Sequence, residues 1–598
     1  MTWTALDGVV TAPDGAPVEG ASVAVLPVTF ASGQDPWSQV RLTRTDTHGR
    51  FRFQLKAGAY VLSPNHPQWE GIAGVRIQFT SDKRPNRPLV LRMRRGTHLL
   101  EGHLEAAQSR HPDGVVALVA LDRTLTPSED KAYCVETKGG QYRLMLPEGR
   151  YAVVAHAAGC GDFEGCISIS GPRTFCVLPL PNPPSAASGE VRRWIRERAV
   201  PLATCEPSRE DHDLDPFETM VGQAKVVALG EACHGTREFF QLKHRLLAFL
   251  VERMGFTVIA MEADPPATAV LNAYVLRGEG HLEEVLANLR FWTGTTQELR
   301  DLVRWLRTYN ADPAHPRKVS INGMDIRSSS TLYAETLQFM KKVDPLAATW
   351  MAGALGRIDD RPQGSPPPEQ AQIEAWLKSL NKLTTRMDSL RGRITARAGA
   401  RAFLRHRRNL SLISQFVVIL GSGVEGKSVR EKAMADHFHW ILSQEEPGSK
   451  AVIWAHNIHV SKALRQDWMG IQPMGRYLRT VLGEDYLVIG TAFLHGRFLA
   501  LAEEGETHDV QTFAVPPEPK GTLDAALAST GYPLLALDLR QIPAQGKIAD
   551  WFRTPQGTWT IGARFNPADS DVNTQMIIPA DCYDVLVIVE RTNPPSCR

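Results

Sequence analysis

The chain has 598 residues, and 67 Lys+Arg against 65 Asp+Glu leave a formal charge of +2 at pH 7. At roughly 100 to 200 residues per domain that length calls for three or four units, and the near-cancellation of charge argues against a nucleic-acid partner or an acidic membrane surface. The opening "MTWTALDGVVTAPDG" lacks a basic start followed by an apolar core, and no apolar run approaches the ~20 residues of a spanning helix, so a cytoplasmic protein with no membrane partner is expected. Eight cysteines are sparse, as suits a reducing compartment, although Cys134, Cys160, Cys166 and Cys176 share one region without a zinc-like spacing.

The first elements in chain order form a repeat. "GRFRFQLKAGAYVL" from Gly49 and "GQYRLMLPEGRYAV" from Gly140 both give Gly, alternating apolar residues, a second Gly nine positions on and Tyr two later, Tyr60 and Tyr151 being 91 residues apart. Period-two alternation marks each copy as strand, and "PDG" punctuates the β-prone segments before the first. Two tandem β-sandwiches are predicted, residues 1–94 and 95–180. The first resembles the carboxypeptidase regulatory-like, transthyretin-like module, which implies a carbohydrate or protein partner, or a plain scaffold. "LPLPNPPSAASGE" then supplies a Pro- and Ser-rich linker over 181–190.

Residues 191–598 alternate short apolar runs with amphipathic stretches, the pattern of an α/β domain with a largely parallel sheet. "VVALG" leads into Glu231 and His234, "FTVIAM" into Glu262, "VSINGM" into Asp325, and "AVIWA" into His456 and His459. In open parallel sheets the ligand sits at the carboxyl ends of the strands, so one crevice could collect them all. After His234, Thr236 is placed to cap a helix whose positions 239, 242, 246, 249 and 250 make an apolar stripe, with Lys243 two turns in. Residues 330–420 read as a helical insertion, plausible as a lid.

"GSGVEGKS", residues 421–428, fits the phosphate-binding pattern G-x-x-x-x-G-K-[ST]. Such a loop needs a strand before it, whereas Leu410, Ile413, Val417 and Leu420 fall at helical spacing. Gly421 is then expected to close that helix and Ser428 with Glu431 to form the capping box of the next.

The stretches "LGEACHGTREFFQLKHRLLAFLVERMGFTVIAMEAD", "WTGTTQELRDLVRWLRTYN", "VSINGMD", "VIWAHNIHVSK" and "YDVLVIVERTNP" resemble the erythromycin esterase-like hydrolases over roughly residues 190 to 598. The resemblance implies cleavage of an ester or macrolactone by water, with His234 as general base, Glu231 holding it, and Glu262 and His456 around the substrate and water. His459, Asp325, Lys243 and Arg430 are the implied substrate contacts. Lys243 stands where macrolide-opening relatives carry Arg, and "REKAMADH" carries Glu431 and His437 where the relatives have Asp and Asn, which loosens the substrate rather than the chemistry.

A neutral imidazole oriented by a carboxylate can take a proton from water, and a second imidazole or Lys243 could meet the oxyanion. No G-x-S-x-G elbow competes. His456 and His459 with His234 and a carboxylate could hold zinc or manganese, but H-E-x-x-H is absent and no cofactor is expected. Cyclisation or acyl transfer in natural-product or polysaccharide assembly, a nucleotide-dependent enzyme, and a binding protein stay open as alternatives.

Overall fold

The computed structural model describes residues 4–596 except 28–40, 56–57, 67, 71–74, 80–87, 107–110, 122–126, 158–159, 161–162, 181–185, 208–210, 290, 357, 359–367, 422–424, 464–471, 503–508, 516–521 and 566–573. The chain divides near residue 184 into two compact units. No described helix is long and apolar enough to cross a membrane.

The repeat extends from the sequence to the strand pairing of the N-terminal unit. Thr4–Thr11 lies between Arg50–Leu55, antiparallel, and Leu89–Arg92, parallel. His98–Ala106 lies in the same way between Gln141–Leu146 and Arg173–Leu180. Each copy adds a four-stranded antiparallel sheet, ordered Arg41–Arg44, Ser22–Pro27, Gly58–Asn65, Val75–Phe79 in the first and Pro127–Glu136, Gly114–Leu121, Gly149–Ala157, Phe163–Ile169 in the second. The alternation has its expected effect: Phe51, Phe53 and Leu55 point inward on one strand, Tyr142, Leu144 and Leu146 on its counterpart. One apolar cluster per copy joins residues of both its sheets, Leu6, Val23, Phe53 and Leu62 in the first, Leu100, Val116, Leu144 and Tyr151 in the second. Cys134 and Cys160 carry free thiols, while the side chain of Cys166 lies outside the described residues.

The C-terminal unit begins within the stretch read as linker. Ala187 is buried, and the Ser188 side chain accepts from the Val191 amide to cap the helix Gly189–Arg198, which inserts Trp194 against Phe552. Its sheet runs Val200–Pro201, Leu534–Asp538, Val585–Thr592, Tyr486–Ala502, Val226–Leu229, Ala451–Trp454, Val258–Met261, Ser320–Gly323. The last six strands of that order are mutually parallel, and Leu534–Asp538 runs antiparallel to both of its neighbours, Val200–Pro201 and Val585–Thr592. The strands Val226–Leu229, Ala451–Trp454 and Val258–Met261 are apolar throughout because both faces are covered. Val227, Leu229, Ile259 and Trp454 feed one cluster, and their neighbours Val226, Ala228, Val258 and Ile453 feed the other.

Val226–Leu229 is central, and the chain leaves it toward Val258–Met261 on one side but later places Tyr486–Ala502 on the other. That reversal is the topological switch point where an open α/β sheet leaves a crevice. The following helix, Arg237–Met254, buries the whole predicted stripe of Phe239, Leu242, Leu246, Phe249 and Leu250.

Among the described residues, six helices from Ser330 to Ser443 enclose a cluster of their own around Met351, Trp376, Leu383, Phe403, Leu410 and Val417, extending past the expected limit at 420. Helix Glu425–Ser443 gives Ala433 to that cluster and Met434, Ala435, Phe438 and Ile441 to the sheet. The phosphate-loop pattern loses its context, since the residues before it form the helix Ala400–Gly421, with Leu410, Ile413 and Val417 buried. Two details differ from expectation. Gly421 is the last helical residue and has no positive φ, and the next helix starts at Glu425, so Ser428 lies inside it. A capping box was closed to Ser428 because both carboxylate oxygens of Glu431 are engaged elsewhere, on His459 and the Met474 amide.

Candidate active site

Glu231, His234, Glu262, Asp325, His456 and His459 all follow one of four adjacent strands, at their carboxyl ends. Two glycines permit the first turn. A Cβ on Gly230 would lie 2.3 Å from Asn457 Oδ1, and one on Gly235 would lie 1.8 Å from the Leu499 carbonyl oxygen. The Asn457 side chain bonds the Thr491 amide and carbonyl, and its own amide donates to the Glu231 carbonyl, so the two histidine-bearing turns are stitched together. Thr236 occupies the N-cap position without its side chain capping. Its hydroxyl turns to the Cys233 carbonyl, and the Arg237 amide donates instead to the Asn593 carbonyl of the C-terminal "RTNPPS" segment.

The geometry centres on Glu231. One oxygen accepts from His234 Nδ1 at 2.6 Å and the other from Lys243 Nζ at 2.7 Å. Burial works against the ionised carboxyl, but Lys243 and His234 hold it down at about 2. With Nδ1 donating to Glu231, Nε2 is the acceptor nitrogen of the neutral His234 ring, and it has no protein partner among the described residues. Lys243, read as a substrate contact, is buried in the structure. Its ammonium is sealed between Glu231, the Ala455 carbonyl at 3.3 Å and the Trp454 ring, 4.3 Å from the centroid. Burial lowers its pKa, partly countered by Glu231.

His456 packs 4.8 Å from His234, ring centroid to centroid. Its Nδ1 accepts from the Ile458 amide at 3.3 Å, and its Nε2 lies 3.3 Å from the Ile561 carbonyl, a donor role. Burial pushes it down to about 3, so the ring is neutral. His459 is its opposite, with Nδ1 on Glu431 at 2.6 Å and Nε2 on Glu262 at 3.2 Å. Burial would lower it, but the two carboxylates raise it to about 10, which makes it an imidazolium.

Glu262 also accepts from the His456 amide at 3.0 Å and from Arg430 and Arg327, each at 3.3 Å. Despite burial, His459 holds it well below the usual carboxylate range. Asp325 is fully buried beneath the same two guanidiniums, with Arg430 forking onto both its oxygens at 2.7 and 2.8 Å and Arg327 Nε at 2.6 Å. Burial opposes its charge, yet Arg430 and Arg327 keep it at about 2. Of the four implied substrate contacts, then, Lys243, Asp325 and His459 are buried, and only Arg430 reaches the surface.

Arg327 escaped the sequence reading, although a cation beside two converging buried acids is what their desolvation demands. Glu431 was noted only as a departure and a cap, yet it orients His459. Cys233, between Glu231 and His234 in sequence, is buried and its thiol is pushed above the usual range by burial, which leaves it inert. Among the described residues no three His, Cys, Asp or Glu side chains are disposed to hold a metal ion.

The sequence profile of the erythromycin esterase family matches residues 251–592, more than half of the chain. Erythromycin esterase type II of Escherichia coli is 25% identical over 378 residues, covering 58% of this chain and 89% of that protein. The putative hydrolase YbfO of Bacillus subtilis (strain 168) is 23% identical over 427 residues, 67% of this chain and 91% of that one. In fold, the chain is similar to a crystal structure of a Bacillus cereus protein, with a TM-score of 0.60 and 24% identity over 68% of this chain and 98% of the other. The chain belongs to the erythromycin esterase family.

Proposed function

We propose that the protein is a hydrolase that cleaves an ester or lactone through water activated by His234. One observation carries the reading: Glu231 bonds His234 Nδ1 at 2.6 Å, so the nitrogen left to accept a proton is Nε2. Water gives that proton to Nε2 as its oxygen bonds the acyl carbon. The imidazolium, stabilised by Glu231, then returns a proton to the departing alkoxide as the carbon–oxygen bond breaks. Lys243 is a positioning residue that fixes Glu231 and does not touch substrate. His456 presents Nε2–H, engaged among the described residues by a 3.3 Å bond to the Ile561 carbonyl, and is the nearest imidazole donor for the carbonyl oxygen. Esterase names among the relatives support the same class.

The helical segment 330–443 serves in this reading as a cover over the crevice. The two N-terminal copies serve as carboxypeptidase regulatory-like sandwiches that engage a carbohydrate or protein partner.

Mass spectrometry of wild type and His234→Ala on a panel of esters, simple lactones and macrolactones tests the reaction. Products one water heavier are expected with wild type, and with the variant a rate lower by about 10²- to 10⁴-fold. Equal conversion by both proteins would end the general-base assignment.

A further inference from the structure

Ester hydrolysis leaves the substrate unnamed, and the charge around His234 narrows it; the inference rests on that hydrolase reading. Every carboxylate of the cluster is sealed, with side-chain exposure of 5% for Glu231, 7% for Glu262, 0% for Asp325 and 3% for Glu431. The cations divide into two kinds. Lys243 at 1% and His459 at 9% are sealed too, whereas Arg430 at 28% and Arg327 at 47% reach solvent. The cluster is formally balanced but layered, acids within and guanidiniums outermost. The face it offers a ligand is positive.

The hydrogen bonds sharpen this. Arg430 uses Nε and Nη2 on Asp325 and Glu262, and Arg327 uses Nε and Nη2 on the same two residues. Among the described residues, Nη1 of each is left without a protein acceptor. Each fork is therefore locked from behind, with donors aimed away from the acids that hold it. The Arg327 guanidinium carbon also stands 6.0 Å from the Phe291 ring centroid, which adds an apolar wall. Two immobilised guanidiniums anchored on shared carboxylates suit a planar oxyanion, which they bind at little further cost in side-chain order. A neutral macrolactone would leave both forks unmatched.

We propose that Arg327 and Arg430 form a carboxylate-binding subsite beside His234, and that the physiological substrate is an ester or lactone bearing a free carboxylate. The test compares half-esters of glutaric acid with the matched neutral methyl diesters, in wild type, Arg327→Gln and Arg327→Lys, each checked for folding by thermal unfolding. Wild type is expected to favour the half-ester in kcat/KM, and the preference is expected to weaken between about 50 and 500 mM salt. In Arg327→Gln the ratio of charged to neutral kcat/KM falls by about tenfold or more, and Arg327→Lys restores part of it. Equal kcat/KM for both esters in wild type, or an equal loss on both in Arg327→Gln, overturns the subsite.

Calorimetric titration with glutarate separates this proposal from the hydrolase reading. Binding by wild type and His234→Ala but not by Arg327→Gln upholds the subsite even where no ester is cleaved. Absence of glutarate binding by wild type overturns it, whatever the esterase activity.

Discussion

Two histidines three residues apart end in opposite charge states because of what faces their nitrogens. His456 meets backbone groups and stays neutral, while His459 lies between two carboxylates and is charged. The pH consequence follows in sign. A His raised from an unfolded value of about 6.5 to about 10 contributes stability that is full below pH 6.5 and lost as pH rises toward 10. Chemical denaturation of wild type and His459→Gln should therefore show a stability gap that is widest below pH 6.5 and narrows toward pH 10. A constant gap across that range would mean that His459 is not charged in the folded protein. His234, Glu231 and Glu262 were legible because each directly follows an apolar run at the edge where such sheets bind ligands. The burial of Lys243 was not, since a lysine on a helix reads as exposed until Trp454 and Glu231 are known to close over it. Arg327 was missed for the converse reason: its partners are 2 and 65 residues away, and only folding makes them one cluster.

At the level of elements, the turn from Gly230 to Thr236 leaves little room for substitution. Gly235→Ala drives a methyl into the Leu499 backbone, which has no side-chain freedom to yield. The expected cost is about 1–3 kcal/mol or more in urea unfolding, together with loss of activity as His234 shifts. An Ala variant as stable and active as wild type would show that the strand Tyr486–Ala502 can retreat. Apolar runs announced the short strands, and spacing announced the helix after His234. Its capping by the distant C-terminal segment was beyond any local pattern, because the acceptor, Asn593, lies hundreds of residues downstream. The false phosphate loop shows the same limit from the other side, as a motif has meaning only once the element before it is known.

Across the whole molecule, each unit has its own apolar clusters, so residues 186–598 are expected to fold and retain hydrolysis without the N-terminal copies. The fragment must keep the helix Gly189–Arg198, whose Trp194 packs on Phe552. Starting at residue 200 should lower Tm by several degrees relative to starting at 186, as calorimetry would show. The duplication of the N-terminal unit was visible in its repeat. The first helix of the C-terminal unit starts inside the Pro- and Ser-rich stretch because that composition hides the capping role of Ser188.

Helix Glu425–Ser443 places one face in the helical cluster and another on the sheet, and between them it delivers Arg430 and Glu431 to residues far back in the chain. The Lys243–Ala455 bond closes a loop of 212 residues, and the Glu262–Arg430 pair closes one of 168. A chain diluted from denaturant can rebuild its helices within milliseconds, yet the reaction centre exists only after these distant segments have docked. Catalytic competence should accordingly return last: on refolding, turnover is expected to lag the recovery of helical circular dichroism, so a chain with its full helix content can still lack a working site.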